Sequence, residues 1–299
     1  MIKILFNTLL GVILIFIWSR FVNLPEIFSI ISKVNPLYLA PVFIFLFLSP
    51  VLRAVRLKIF LSEIKKIPLK DLIFLNGAAM MLNFFIPIRA GEFVKGFYLN
   101  NQHGLPLGKS IIWIFLDRFL DFLVVIILAG AVFALIPTII ILILVLIMIP
   151  LLIKKHIKLP FDRFTHFIFD AFSILNRHSR DLFVMVILTI LAYGADAGIW
   201  YFSFKSLGFD QNFWKMYLGQ LLSALTYLVP AAPGYVGSAE ASGLLILSGV
   251  FGISNNLASA MIVLLHITTA IFVISFGLIS VFSLKIDLGA ILKKALKRR

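Results

Sequence analysis

The sequence predicts an all-α polytopic integral membrane protein. It should have about six full transmembrane helices and two oppositely oriented re-entrant hairpins forming an inverted-topology repeat. Three observations predict this. Hydrophobic residues make up 62% of 299 and charged residues 13%, at a mean hydropathy of +1.09, too little polar surface for a water-soluble domain of this length. Apolar runs of span length recur along the whole chain. Two of those runs are interrupted by proline and glycine beside charged residues.

The candidate spans are residues 4–22, 38–55, 110–136, 137–153, 182–207 and 257–284. Most reach the roughly 20 residues a helix needs to cross, and 38–55 and 137–153 lie near the lower limit. The first run lacks a small-residue cleavage site and reads as a retained span rather than a signal peptide. The net charge is +14, and six of the 27 Lys and Arg fall in each of 53–70, 154–180 and 285–299. Each basic run abuts an apolar segment, so positive-inside topology and attraction to anionic lipid explain them better than nucleic-acid binding. The runs mark the cytoplasmic side.

Counting crossings then exposes the hairpins. Spans 110–136 and 137–153 form an out-and-back pair between two cytoplasmic runs, so residues near Lys109 are cytoplasmic. The interrupted segment 71–101, broken at Ile86-Pro87-Ile88-Arg89-Ala90-Gly91, must enter and leave from that side. By the same count, segment 214–252, broken at Pro230-Ala231-Ala232-Pro233-Gly234-Tyr235-Val236-Gly237, dips from outside. A simple proline kink in an ordinary span is the alternative for each. Irregular backbone at membrane depth persists only inside protein or along a wet cavity, and one hairpin from each face is the pattern of an inverted repeat with its site where the breaks meet. The chain reads as one transmembrane domain over 1–299, with repeats near 38–136 and 182–284. Its basic tail, 285–299, should be cytoplasmic, like the N-terminus, in a multi-pass protein of the cell membrane.

Span 110–136 carries Asp117, Arg118 and Asp121. Three central charges cost about 8–10 kcal/mol, and the eighteen Val, Ile, Leu and Phe of the segment return about 8. Pairing or water must offset the difference. Arg118 reaches Asp121 at i,i+3, and Arg89 is expected within reach of Asp117, Asp121 or Glu92. Whether such a cluster binds a ligand or braces the fold stays open. Glu240 opens the half-helix after the second break, where the helix dipole favours a carboxylate; it can cap that helix or hold a proton or cation. Asp196 and His266 read as hydrogen-bonded packing residues.

Enzyme signatures are sparse. With no cysteine there is no disulfide, thiolate metal site or cysteine nucleophile. The five histidines, at 103, 156, 166, 178 and 266, include no His-x-x-x-His pair. No phosphate loop with Lys-Ser/Thr and no Gly-x-Ser-x-Gly elbow occurs. Neither metal nor cofactor is expected.

The stretch Leu82-Asn83-Phe84-Phe85-Ile86-Pro87-Ile88-Arg89-Ala90-Gly91-Glu92, followed by Asp117-Arg118-Phe119-Leu120-Asp121, resembles the lysylphosphatidylglycerol synthase transmembrane-region family, the flippase-like domains found alone or fused to an aminoacyl-lipid synthase. The second signature is Pro230 through Glu240, and Arg53 with Arg56 fits the basic pair the family places after an early span. Two departures stand out: Asp117 where the family often has Glu, and His266 where it often has Arg. Only 285–299 follows the last span, so the resemblance implies lipid transport and lends no support to lipid synthesis.

The resulting expectation is a flippase or related transporter of a phospholipid or polyprenyl-phosphate-type lipid. Arg89 would attract the headgroup phosphate at half-helix N-termini. Glu92, Asp117, Arg118, Asp121 and Glu240 complete the substrate-binding set, with Glu92, Asp121 and Glu240 taking a cationic headgroup moiety or a coupling proton. Pro87, Gly91, Pro230, Pro233, Gly234 and Gly237 would serve as hinges or points of close approach. The partners are membrane lipids, and nothing in the pattern sets an oligomeric state. The rivals are a membrane enzyme acting on lipid phosphates or polyprenyl-linked sugars, a non-transporting assembly partner, and a small-ion channel.

Overall fold

The computed structural model describes residues 2–62, 64–86, 90–132, 179–226 and 232–286. Ten α-helices order these residues: α1 (Ile2–Ser19), α2 (Leu24–Ile31), α3 (Leu39–Ser62), α4 (Leu69–Phe85), α5 (Ala90–His103), α6 (Leu107–Val132), α7 (Ser179–Ser206), α8 (Phe213–Thr226), α9 (Ser238–Leu244) and α10 (Asn255–Ser283). The expected span at 137–153, the basic segments beyond it and at 287–299, and Pro87, Arg89 and Pro230 lie outside the described residues. With them lies the expected reach of Arg89 to Asp117, Asp121 or Glu92.

Two expected boundaries move. The span expected at 4–22 is helix α1, which ends at Ser19, and beyond it a second, apolar helix, α2, runs at 90° to it. Asn23 accepts a hydrogen bond from the Glu26 N–H (3.2 Å), and Pro25 in the first turn of α2 starts the new helix with its fixed φ. Helix α3, expected to end at residue 55, continues to Ser62. Arg53 and Arg56 therefore lie within a buried stretch of helix and not in a cytoplasmic loop. Their charges find carboxylate partners on α6 and α7, which lets the helix carry them inward.

The packing is that of a membrane bundle. Its outer face is apolar: Leu9, Val12 and Phe16 on α1, Ile44 and Phe47 on α3, and Ile271, Leu278 and Phe282 on α10 are exposed, while Arg56, Lys95, Asp117, Asp121 and Glu240 are buried. Helices α3 with its leading turn, α7 and α10 are each long and apolar enough to cross a bilayer. α3 lies along α7, and α10 along α4. Small residues make the second contact possible: a Cβ on Gly77 would meet the Phe276 ring at 2.7 Å, and one on Gly277 would meet Met81 Sδ at 2.8 Å. Lipid is as apolar as the helices, so close packing of this kind is what holds such helices together. The chain is an all-α polytopic membrane protein.

The two interrupted segments are hairpins of different build. At the first, α5 turns back beside α4; the Asn83 side-chain oxygen accepts from the Gly91 N–H (2.8 Å), satisfying a donor at the new helix start. Gly91 presses on the backbone of Ala79, where a Cβ would collide. At the second, Gly234 (φ +69°), Tyr235 (φ +59°) and Gly237 (φ +82°) are left-handed, a turn that glycine accepts without strain at two of three positions. Gly237 abuts the Gly11 carbonyl, which pins the turn to α1. α9 follows, then a π-helical turn over Leu245–Val250. The ends of the two hairpins meet: the Phe84 ring, near the end of α4, lies 6.5 Å from that of Tyr235 and 6.3 Å from that of His266.

Candidate functional site

Between the hairpin ends and the surrounding helices lies a cavity of about 460 Å³, the size of a small-ligand pocket. Helices α3 to α10 all line it. Uncharged polar groups come from Ser49, Asn76, Gln220, Ser223, Ser242 and Thr269, and charged ones from Arg53, Lys95, Arg118, Glu92, Asp121 and Asp196. The described lining thus holds three cations and three carboxylates, with His266 beside them.

One group of charges lies behind the wall. Arg56 has no exposed surface. Its Nε donates to Asp117 Oδ1 (2.7 Å), its Nη1 to Asp121 Oδ1 (2.5 Å) and Thr189 Oγ1 (2.7 Å), and its Nη2 to the Asp117 carbonyl (3.3 Å). Arg118 approaches the same aspartates from the cavity side, with Nη2 2.5 Å from Asp117 Oδ2 and Nη1 3.0 Å from Asp121 Oδ2. Two arginines and two aspartates form a closed, neutral set, which is how charge survives away from water. On the next helix face, Arg53 donates to Asp196 Oδ2 (2.7 Å) and to Ser49, and lies over the Tyr193 ring at 5.4 Å.

Two simpler pairs stand at the hairpins. On α5, just past the first break, Lys95 Nζ is 3.2 Å from Glu92 Oε2. At the second break, His266 reaches from α10 with Nδ1 2.9 Å from Glu240 Oε1 and Nε2 2.7 Å from the Gly234 carbonyl. The other Glu240 oxygen accepts from the Gly237 N–H (2.7 Å). A carbonyl only accepts, so Nε2 carries a hydrogen; one further proton must sit between Nδ1 and Glu240. Imidazolium with carboxylate, or imidazole with carboxylic acid, the pair is neutral as a unit.

The family model described as the lysylphosphatidylglycerol synthase TM region matches residues 4–277. The chain belongs to that family. No curated protein and no solved structure matches it.

For this member of the lysylphosphatidylglycerol synthase transmembrane-region family, the structure gathers some of the residues expected at the site and separates others. Glu92, Arg118 and Asp121 line the cavity; Asp117 sits behind it. Glu240 is set back from the wall and is joined to it through His266. Pro233, Gly234 and Gly237 shape the second turn, and Gly91 the first. Asp196 and His266, expected to be hydrogen-bonded packing residues, are hydrogen-bonded, Asp196 to Arg53 and His266 to Glu240 and the Gly234 carbonyl, and each ties two elements together. Sequence reasoning missed Lys95 altogether. The Glu92-x-x-Lys95 spacing on the first helix after a break was the available signal, since a lysine at that depth needs a carboxylate within one turn. Among the described residues no group of three or more His, Cys, Asp or Glu could hold a metal.

Proposed function

We propose that this protein moves a phospholipid or polyprenyl-phosphate-type lipid between leaflets of the cell membrane, the headgroup passing through the polar cavity while the acyl chains stay in the bilayer. The observation that carries the reading is the position of that cavity: it lies where two hairpin ends meet inside an apolar-surfaced bundle. A cavity lined by charges within such a bundle suits a ligand that is polar at one end and lipid-like at the other. In this reading the chain makes six crossings with cytoplasmic termini and an inverted repeat near 38–136 and 182–284, a frame suited to alternating access. Arg89, at the first break, is assigned to the headgroup phosphate together with the cavity cations.

Leaflet exchange tests the reading. Purified protein in liposomes with labelled phospholipids and polyprenyl phosphates should speed the loss of outer-leaflet label to a membrane-impermeant quencher. Exchange no faster than in protein-free liposomes, for every lipid tried, would sink it. A second outcome, turnover of a lipid phosphate, would point instead to a membrane enzyme.

A further inference from the structure

We propose that the cavity holds a second subsite, a wall of uncharged polar side chains on α8, α9 and α10, and that it takes a hydroxyl-rich headgroup: a sugar or polyol ring carried on the lipid phosphate. The proposal rests on the lipid-transport reading and adds the class of headgroup and the residues that choose it.

The two sides of the cavity differ in kind. Every charged side chain in its described lining comes from α3, α5, α6 or α7. Arg89, already assigned to the phosphate, directly precedes α5 in the chain. The other side is uncharged by sequence: from 216 to 284 the one charged residue is Glu240. Glu240 is buried and set back from the lining. One of its oxygens is 2.9 Å from His266 Nδ1, and the other accepts from the Gly237 N–H at 2.7 Å.

Polar groups nonetheless line that side, at helical spacing. Gln220 and Ser223 on α8, Ser238 and Ser242 on α9, and His266 and Thr269 on α10 each lie three or four apart, and all six face the cavity. Polar side chains in helices this apolar are costly and mark a ligand path when they line a cavity. Their chemistry matches a hydroxyl, which both donates and accepts. Gln220 offers two N–H donors and a carbonyl. Ser238 and Ser242 donate back to the carbonyls of Tyr235 (3.0 Å) and Ala239 (3.3 Å), which leaves each hydroxyl oxygen free to accept. An ammonium, which only donates, calls for a carboxylate that this wall does not present. The rings of Trp200 and Tyr235 line the same cavity and suit the apolar face of a sugar or polyol ring. A phosphate held by the cations of the charged side therefore places a hydroxyl-bearing ring against the uncharged one.

The experiment uses the full chain in liposomes with three labelled glycerophospholipids. An inositol phosphodiester and a cyclohexyl phosphodiester share ring size and charge and differ in hydroxyls; an ethanolamine phosphodiester carries an ammonium instead. The native protein should exchange the inositol lipid about tenfold faster than either of the others, a preference of roughly 1.4 kcal/mol. Gln220→Leu and Ser223→Ala should each slow the inositol lipid toward the cyclohexyl rate and leave the cyclohexyl rate unchanged. A wall that only braces the fold would lower all rates together, which overturns the proposal. Equal native rates for inositol and cyclohexyl lipids, a native preference for the ethanolamine lipid, or unchanged selectivity in both folded variants also overturns it and leaves lipid transport standing. Exchange of none of the three overturns it as well, and lipid transport falls with it only if phospholipids and polyprenyl phosphates at large stay in place. If Gln220→Leu does not fold, the native comparison and Ser223→Ala decide the matter.

Discussion

Arg56 and Lys95 are both buried cations in one membrane-embedded interior, but they are held differently. Arg56 is saturated: two aspartates, a threonine and a carbonyl take its donors, and it touches no open space. Lys95 has a single carboxylate three residues away on its own helix and faces a cavity. The first arrangement ties α3, α6 and α7 together. Among the described residues the second pair ties together no more than one turn of α5, so bracing between those elements does not explain its burial. A charge kept at depth with spare capacity is better matched to a ligand.

Predictions that would break or sharpen this contrast run from large to small. Arg56→Met should cost about 3–5 kcal/mol, because it strands Asp117 and Asp121 with only Arg118. Thermal unfolding in detergent reads it, and a protein as stable as the native one would remove Arg56 as the brace. Thr189→Val deletes one bond from the same guanidinium and should cost about 1–2 kcal/mol by the same measurement. The Lys95→Met/Glu92→Gln double variant removes both partners of a pair that holds no described elements together, and should stay within about 1 kcal/mol of the native protein. A loss comparable to that of Arg56→Met would erase the distinction between the two cations.

Much of this was legible in the sequence. The helical membrane class followed from composition, and the two interruptions from proline and glycine beside charge. The cost of Asp117, Arg118 and Asp121 in an apolar segment required partners, but not which ones. Arg56 was hidden because a basic run normally marks a loop, whereas here α3 carries its first two arginines inward to carboxylates far along the chain. His266 looked like a lone packing residue for the same reason: its partner Glu240 and the Gly234 carbonyl come from another element, and only the left-handed turn at Gly234 aims that carbonyl at it. Pairings between distant elements leave no local pattern to read.

The central claim, that lipid headgroups pass through the shared cavity, can be tested by filling it. The chain has no cysteine, so Ser242→Cys, on the cavity wall, provides one thiol for a bulky maleimide. The same substitution at Ile44, exposed on the apolar surface, is the control. Alkylation at 242 should slow leaflet exchange about tenfold, the equivalent of roughly 1.4 kcal/mol on the barrier, with the control unaffected. Exchange that continues at the native rate with the thiol at 242 fully modified would contradict the account.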